Sequence, residues 1–263
     1  MKAWKRIHIT KKRAVCGALG LLLLAAAYMG VPRAAEKVFA VAEGERRLPI
    51  YCVQTDKPQV SVSFDAAWGA DDTDELLRIL KENDVKATFF LCGYWVEKYP
   101  EEVKKIAAEG HDLGNHSATH PHMSRISSEE IAQELQKCHE NVKKLTGVEM
   151  ELFRPPFGEY DNHVIETAEQ NGYYTIQWDV DSLDWKEQGA EAEIRQVLEH
   201  KHLGNGSIIL FHNDAKYTPK VLDTILKGIK EKGFEIVPIS QLIHRENFEM
   251  DHEGRQILKG KEA

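Results

Sequence analysis

The sequence is short of cysteine, with four in 263 residues. Small exported domains that rely on disulfides carry a much higher share, so a disulfide scaffold is excluded. It has no glycine-rich phosphate loop, no nucleotide-binding motif and no internal repeat. Basic residues are scarce beyond the first 31 positions. Lys2, Lys5, Arg6, Lys11, Lys12 and Arg13 lie there without an acid; the other 28 Lys and Arg face 42 Asp and Glu, a balance of −14. So acidic a body makes a poor nucleic-acid partner, because phosphate rewards clustered Lys and Arg. An uncharged or cationic substrate suits it better. What is present is ordinary: 42% apolar and 29% charged residues exclude collagen, a coiled coil and a mostly disordered chain. The length suggests one domain with a tail at either end.

Residues 14–31, AVCGALGLLLLAAAYMGV, form an uncharged run of 18 residues. As a helix it would span about 27 Å, close to the roughly 30 Å of a bilayer core. The basic segment 1–13 precedes it, the positive-inside arrangement. The run reads as a retained transmembrane anchor, with a cleaved export signal as the alternative. Ala40-Val41-Ala42 would suit a signal peptidase but lies far past the run. Either way the rest of the chain is exported: a single-pass protein of the cell membrane with its domain outside, or a secreted one. Cys16 falls inside the run, which leaves Cys52, Cys92 and Cys138. At most one pair can form, and all three can equally be buried thiols.

Residues 32–57 read as a linker or extension with a short strand over 48–53, residues 58–245 as the main domain, and residues 246–263 as a loose polar tail. Within the domain, strands over 59–64, 86–92, 111–116, 151–154, 173–180, 207–211 and 235–238 alternate with helices over 73–83, 101–109, 127–145, 162–171, 190–202 and 219–232. The helix after Ser127 is the clearest. Ser127 and Glu130 spell a capping box, Ile131, Leu135, Cys138, Val142 and Leu145 recur at helical spacing, and Gly147 closes it. Repeated βα order implies a parallel sheet covered by helices. About seven units in this length suit an α/β fold, a compact deformed (β/α) barrel in which chemistry collects at the C-terminal strand ends.

Five of those ends carry ionisable groups. One runs into Asp65, one into His116 and His120, one into Arg154-Pro155-Pro156-Phe157-Gly158, one into Asp181-Ser182-Leu183-Asp184-Trp185, and one into His212. Taken singly, each has an ordinary reading as a turn former, a surface charge or a core histidine. Together, at the ends of successive strands, they make a catalytic constellation.

These residues resemble the polysaccharide deacetylase family, the NodB-type carbohydrate esterases. The resemblance covers 59–245 through five motifs in the family's order: Ser63-Phe64-Asp65, His116 to His120, Arg154 to Gly158, Asp181 to Trp185, and Leu210-Phe211-His212. The anchor, the size and the Asp65-Ala66-Ala67-Trp68-Gly69 run are most similar to sporulation-type cell-wall deacetylases of Gram-positive bacteria. The resemblance implies a deformed barrel that hydrolyses N-acetyl groups on peptidoglycan sugars, N-acetylglucosamine or N-acetylmuramic acid, commonly with zinc or another divalent ion. By that analogy His116 and His120 would bind metal, and Asp65 would take a proton from water. Phe157 would offer its N–H to the oxyanion, and His212 would protonate the departing amine. Arg154 would orient Asp65, Asp181 would hold His212, and Trp185 and Leu210 would wall the acetyl pocket. The expected partners are the glycan and, through residues 14–31, the membrane; the chain itself is expected to be a monomer.

One position departs from the family. The usual first motif carries a second, metal-binding Asp where this chain has Ala66. Catalytic zinc normally takes three protein ligands. Three readings follow: Asp71, Asp72 or His122 supplies the third ligand, the metal binds loosely with water in the gap, or no metal binds. The last opens two alternatives to a metal-assisted deacetylase, a catalytically inactive glycan-binding module and a metal-free amidase.

Overall fold

A computed structural model describes residues 46–260. The basic segment, the apolar run with Cys16 and residues 32–45 of the extension lie outside the described residues. Among the described residues no helix is long and apolar enough to cross a membrane.

The organising strand is β2 (Gln59–Ala66), buried from Val60 onward. Side chains alternate along a strand. Val60, Val62, Phe64 and Ala66 join the main core under the helices, while Asp65 and Ser63 turn to the other face, toward Arg154. Burial on both faces is what a parallel sheet with helices outside demands. Phe64 stacks between Phe89 at 4.9 Å and Phe211 at 5.7 Å, which ties β2 to both its neighbours.

Those neighbours are β3 (Thr88–Leu91) and β8 (Ile208–His212), both parallel to β2. Beyond them lie β4 (Asp112–Asn115), β5 (Leu152–Phe153) and β6 (Tyr174–Thr175) on one side and β7 (Val180–Asp181) on the other. The order is β6-β5-β4-β3-β2-β8-β7, seven parallel strands, and β9 (Glu235–Ile236) pairs with the start of β2. The first and last strands of that order are two halves of one segment, 174–181. The sheet therefore curves round on itself as a deformed barrel. The single strand expected over 173–180 is in fact these two halves. One end pairs with β5, the other with β8, and Ile50 bridges to Ile176 between them.

Eight helices connect and cover the described strands: α1 (Thr73–Glu82), α2 (Gly93–Lys98), α3 (Pro100–Ala108), α4 (Ser128–Thr146), α5 (Asn162–Gln170), α6 (Ala190–Leu198), α7 (Thr218–Glu231) and α8 (Ile239–Leu242). The α4 capping box is formed, with Glu130 N–H donating to Ser127 Oγ at 3.2 Å and Ser127 N–H donating to the Glu130 carboxylate at 2.8 Å. Its buried stripe is Ile131, Leu135, Cys138 and Val142. The turn of helix at α2, absent from the sequence reading, is too short for a periodic signal. Cys52, Cys92 and Cys138 are all free and buried.

Both ends of the domain extend further than expected. Ile50, Cys52 and Val53, assigned to the linker, are buried. The 246–263 stretch, expected to be loose, holds a hairpin of β10 (Phe248–Met250) and β11 (Arg255–Leu258). β11 pairs in parallel with β1 (Cys52–Val53), giving a small second sheet. The hairpin turn is polar, with the Asp251 carboxylate accepting from the N–H of Glu253 and Arg255, both at 2.8 Å. Hydropathy does not register such a turn. The fully buried Gln256 fastens it by bonding both the N–H and the carbonyl of His244.

Candidate active site

Asp65 and His212 are register partners at the C-terminal ends of β2 and β8. In a parallel pair, register partners point to the same face, so a carboxylate and an imidazole stand side by side. Each has an oppositely charged partner of its own.

Arg154, fully buried, donates to Asp65 from Nη1 at 2.7 Å. Its Nη2 donates to Ser63 Oγ at 2.9 Å and to the carbonyl of Gln177 at 3.2 Å. Its guanidinium lies 4.1 Å from the centre of the Phe90 ring and 5.5 Å from Trp178. Phe90 finds room for this because the next strand carries Gly114, where a Cβ would sit 2.5 Å from the Phe90 ring. Burial opposes the charge on Asp65, but Arg154, His116 and His212 outweigh it and hold the carboxyl below the usual carboxylate range.

His212 is held by Asp184, not by Asp181. Its Nδ1 is 2.7 Å from Asp184 Oδ1, and its backbone N–H donates to Asp184 Oδ2 at 2.6 Å. With Nδ1–H committed to a carboxylate, Nε2 is the nitrogen left for chemistry. Burial disfavours the imidazolium, yet Asp184, Asp65 and Asp181 together raise its pKa above the ordinary 6.5. Asp181 instead accepts from the N–H of Leu183 at 2.8 Å. It faces the same cleft, and burial raises its pKa.

His116 donates from Nδ1 to the carbonyl of Arg154 at 2.7 Å, so the lone pair of the neutral ring sits on Nε2, 3.7 Å from Asp65 Oδ2. His120 packs edge-on to His116, ring centres 4.9 Å apart, and edge-on to Phe157 at 4.5 Å. Burial, with His116 close by, pushes His120 down to about 4, so both rings are neutral at ordinary pH. Phe157 stands in the left-handed region at φ 60°.

Asp65, His116, His120, Phe157, Asp181 and His212 line one cleft of about 390 Å³, walled further by Trp68, Trp178, Trp185 and Leu210, with Arg154 and Asp184 buried behind it. Trp68, Phe157 and Trp185 are each more than half exposed at it. The structure thus brings together all nine residues singled out from the sequence: Asp65, His116, His120, Arg154, Phe157, Asp181, Trp185, Leu210 and His212. Asp184, Ser63, Trp68 and Trp178 were missed in their roles. Asp184 lay inside a quoted motif as its second Asp, Ser63 opened the first motif, and Trp68 stood in the run after Asp65; Trp178 lay in the 173–180 strand, outside every motif. A second cavity of about 370 Å³, between Leu48, Ile50, Tyr174 and Met250, shares no residue with this one.

The donor set does not fit a three-ligand metal. Among the described residues no three His, Cys, Asp or Glu side chains converge in a way that could hold an ion. Ala66 packs its methyl into the core. His122 is taken by Glu159 at 2.7 Å, and Asp72 accepts from the N–H of Asp214 at 2.7 Å.

The polysaccharide deacetylase family model matches residues 53–176. The chain is similar to the uncharacterized protein YlxY of Bacillus subtilis, at 36% identity over 74% of this chain and 60% of that one, less than two thirds of the relative's length. It is 34% identical to a peptidoglycan-N-acetylglucosamine deacetylase of Bacillus cereus over 71% of this chain and 69% of that one. Among solved structures, BA3943 of Bacillus anthracis, a CE4 family pseudoenzyme, superposes with a TM-score of 0.71 at 36% identity, over 74% of this chain and 68% of that one. A mutant of that pseudoenzyme has restored enzymatic activity. Sequence relatives and barrel agree, and the chain belongs to the polysaccharide deacetylase family.

Proposed function

We propose that this chain removes N-acetyl groups from cell-wall glycan through Asp65 and His212, without a resident metal. The observation that carries the reading is the register pairing of those two residues, each backed by a buried counter-charge. Amide hydrolysis needs a base for water and an acid for a poor leaving group. Asp65, kept ionised by Arg154, accepts a proton from water as its oxygen attacks the acetamide carbon. The N–H of Phe157 holds the resulting oxyanion. Nε2–H of His212 protonates the amine as the C–N bond breaks, and acetate leaves. Opposed partners drive the two pKa values apart, which is how one site supplies both base and acid. The three exposed rings at the cleft offer faces for sugar. The basic segment and the 18-residue apolar run support placement of this domain outside the cell membrane, anchored by residues 14–31.

A second reading, a glycan-binding module without turnover, is favoured by Ala66 and by the inactive relative from Bacillus anthracis. One assay separates the two. Acetate release from N-acetylglucosamine oligomers and from peptidoglycan is measured with chelator, and then with zinc or cobalt. The hydrolase reading expects release that survives chelator and is lost in His212→Ala and Asp184→Asn, with a smaller loss in Asp181→Asn. The binding reading expects no release from the native chain, retention on peptidoglycan, and release gained with zinc in Ala66→Asp.

A further inference from the structure

Behind His212 the structure continues inward. Thr218, fully buried at the start of α7, places its Oγ1 3.2 Å from Asp184 Oδ2 and 2.8 Å from Glu193 Oε1. Glu193 is a buried carboxyl on α6, 4% exposed. A hydroxyl has one proton and cannot donate to two carboxylates at once. Asp184 already accepts from the N–H of Trp185, from both nitrogens of His212 and from Thr218, as an ionised carboxylate does. The arrangement is satisfied if Glu193 keeps its own proton, donates it to Thr218, and Thr218 donates onward to Asp184.

We propose that Glu193 is a positioning residue, acting through Thr218 and Asp184 to set how tightly His212 holds its proton. This rests on the reading of His212 as the proton donor of the site, and names how that donor is regulated. Burial pushes the Glu193 carboxyl up to about 7, against the Thr218 hydrogen bond and with help from the Asp184 charge. Asp184 is the ionisable group that faces it; Gln188 and Gln196, which line the same small recess, are neutral. Below about 7 the chain runs Glu193 to Thr218 to Asp184 to His212. Above it Glu193 is ionised, Thr218 turns its proton toward Glu193, and Asp184 loses one donor. A less satisfied Asp184 binds the His212 proton more strongly. The acid form of His212 is thereby kept to higher pH than Asp184 alone would keep it.

The test reads the proton, not the turnover. The full chain carrying ¹⁵N-labelled histidine is titrated by NMR, and the His212 ring is followed. Glu193→Gln keeps a neutral donor that cannot ionise, and lowers the His212 pKa by about half a unit or more. Thr218→Val removes the donor to Asp184 at every pH and moves His212 upward. The His111 and His139 signals report whether each variant is folded, and either variant tests the relay if the other is not. A His212 titration unchanged in Glu193→Gln, or shifted downward in Thr218→Val, overturns the proposal. Because His212 titrates whether or not acetate is released, failure here is distinct from failure of the hydrolase reading. A merely structural Glu193 would lower stability and leave the His212 curve in place.

Discussion

Arg154 and Asp65 are each buried at 5% exposure or less, so neither can lose its partner cheaply. Removing one member of a buried ion pair leaves an uncompensated charge, which costs about 3–5 kcal/mol. Asp65→Asn therefore stops the proposed chemistry and also lowers the free energy of unfolding by about that much. The double variant Asp65→Asn with Arg154→Met loses less than the sum of the singles, because the second change removes the stranded charge. Denaturant unfolding of the four proteins checks both statements. At this scale the motifs made Asp65, Arg154 and His212 legible as a set. The resemblance gave His212 the wrong Asp, Asp181 in place of Asp184. Spacing offers two carboxylates three residues apart, and the turn decides between them. Leu183 takes the left-handed region at φ 54° and its N–H occupies Asp181, while Asp184 is carried inward to 2% exposure beneath His212.

The strand elements are shaped as much by what one leaves out as by what another puts in. β4 leaves a gap at Gly114 that the Phe90 ring fills, and the ring in turn carries Arg154. Gly114→Ala pushes a methyl into that ring and costs about 1–3 kcal/mol, with a drop in acetate release larger than stability alone explains, since the shift passes through Arg154 to Asp65. Comparing kcat with the unfolding midpoint separates the two effects. The long helices were legible because burial of one face imposes a repeat on 10 to 19 residues. The two-residue strands at 152–153, 174–175 and 180–181 are set by pairing across the barrel, and that leaves almost no local pattern to read.

For the whole molecule, the C-terminal hairpin belongs to the domain. Truncation after Asn247 removes β11 from the edge of β1, lowers Tm and exposes the Cys52 thiol to a maleimide reagent that barely reacts with the intact chain. Stability also carries a pH signature. His111 is 7% exposed, and its Nδ1 accepts from the N–H of Ala87 at 3.1 Å. Burial, with Lys86 assisting, pushes it down to about 4. A histidine pKa depressed on folding gives stability that is present above the unfolded value of 6.5 and is lost as pH falls through 4. The loss from this one residue is roughly 3 kcal/mol. Unfolding measured between pH 7 and 4 tests it, with a smaller acid loss in His111→Gln.

The seam at 174–181 bears on a different matter, how this chain behaves when concentrated. Open parallel sheets rich in Val, Ile and Phe present unpaired edges on which another chain can add a strand. Here the two terminal strands are halves of the same segment, and Ile50 takes up the span between them. Among the described residues the main sheet offers no long free edge for templated strand addition, and its apolar strands stay shielded from aggregation for as long as that eight-residue stretch holds its place.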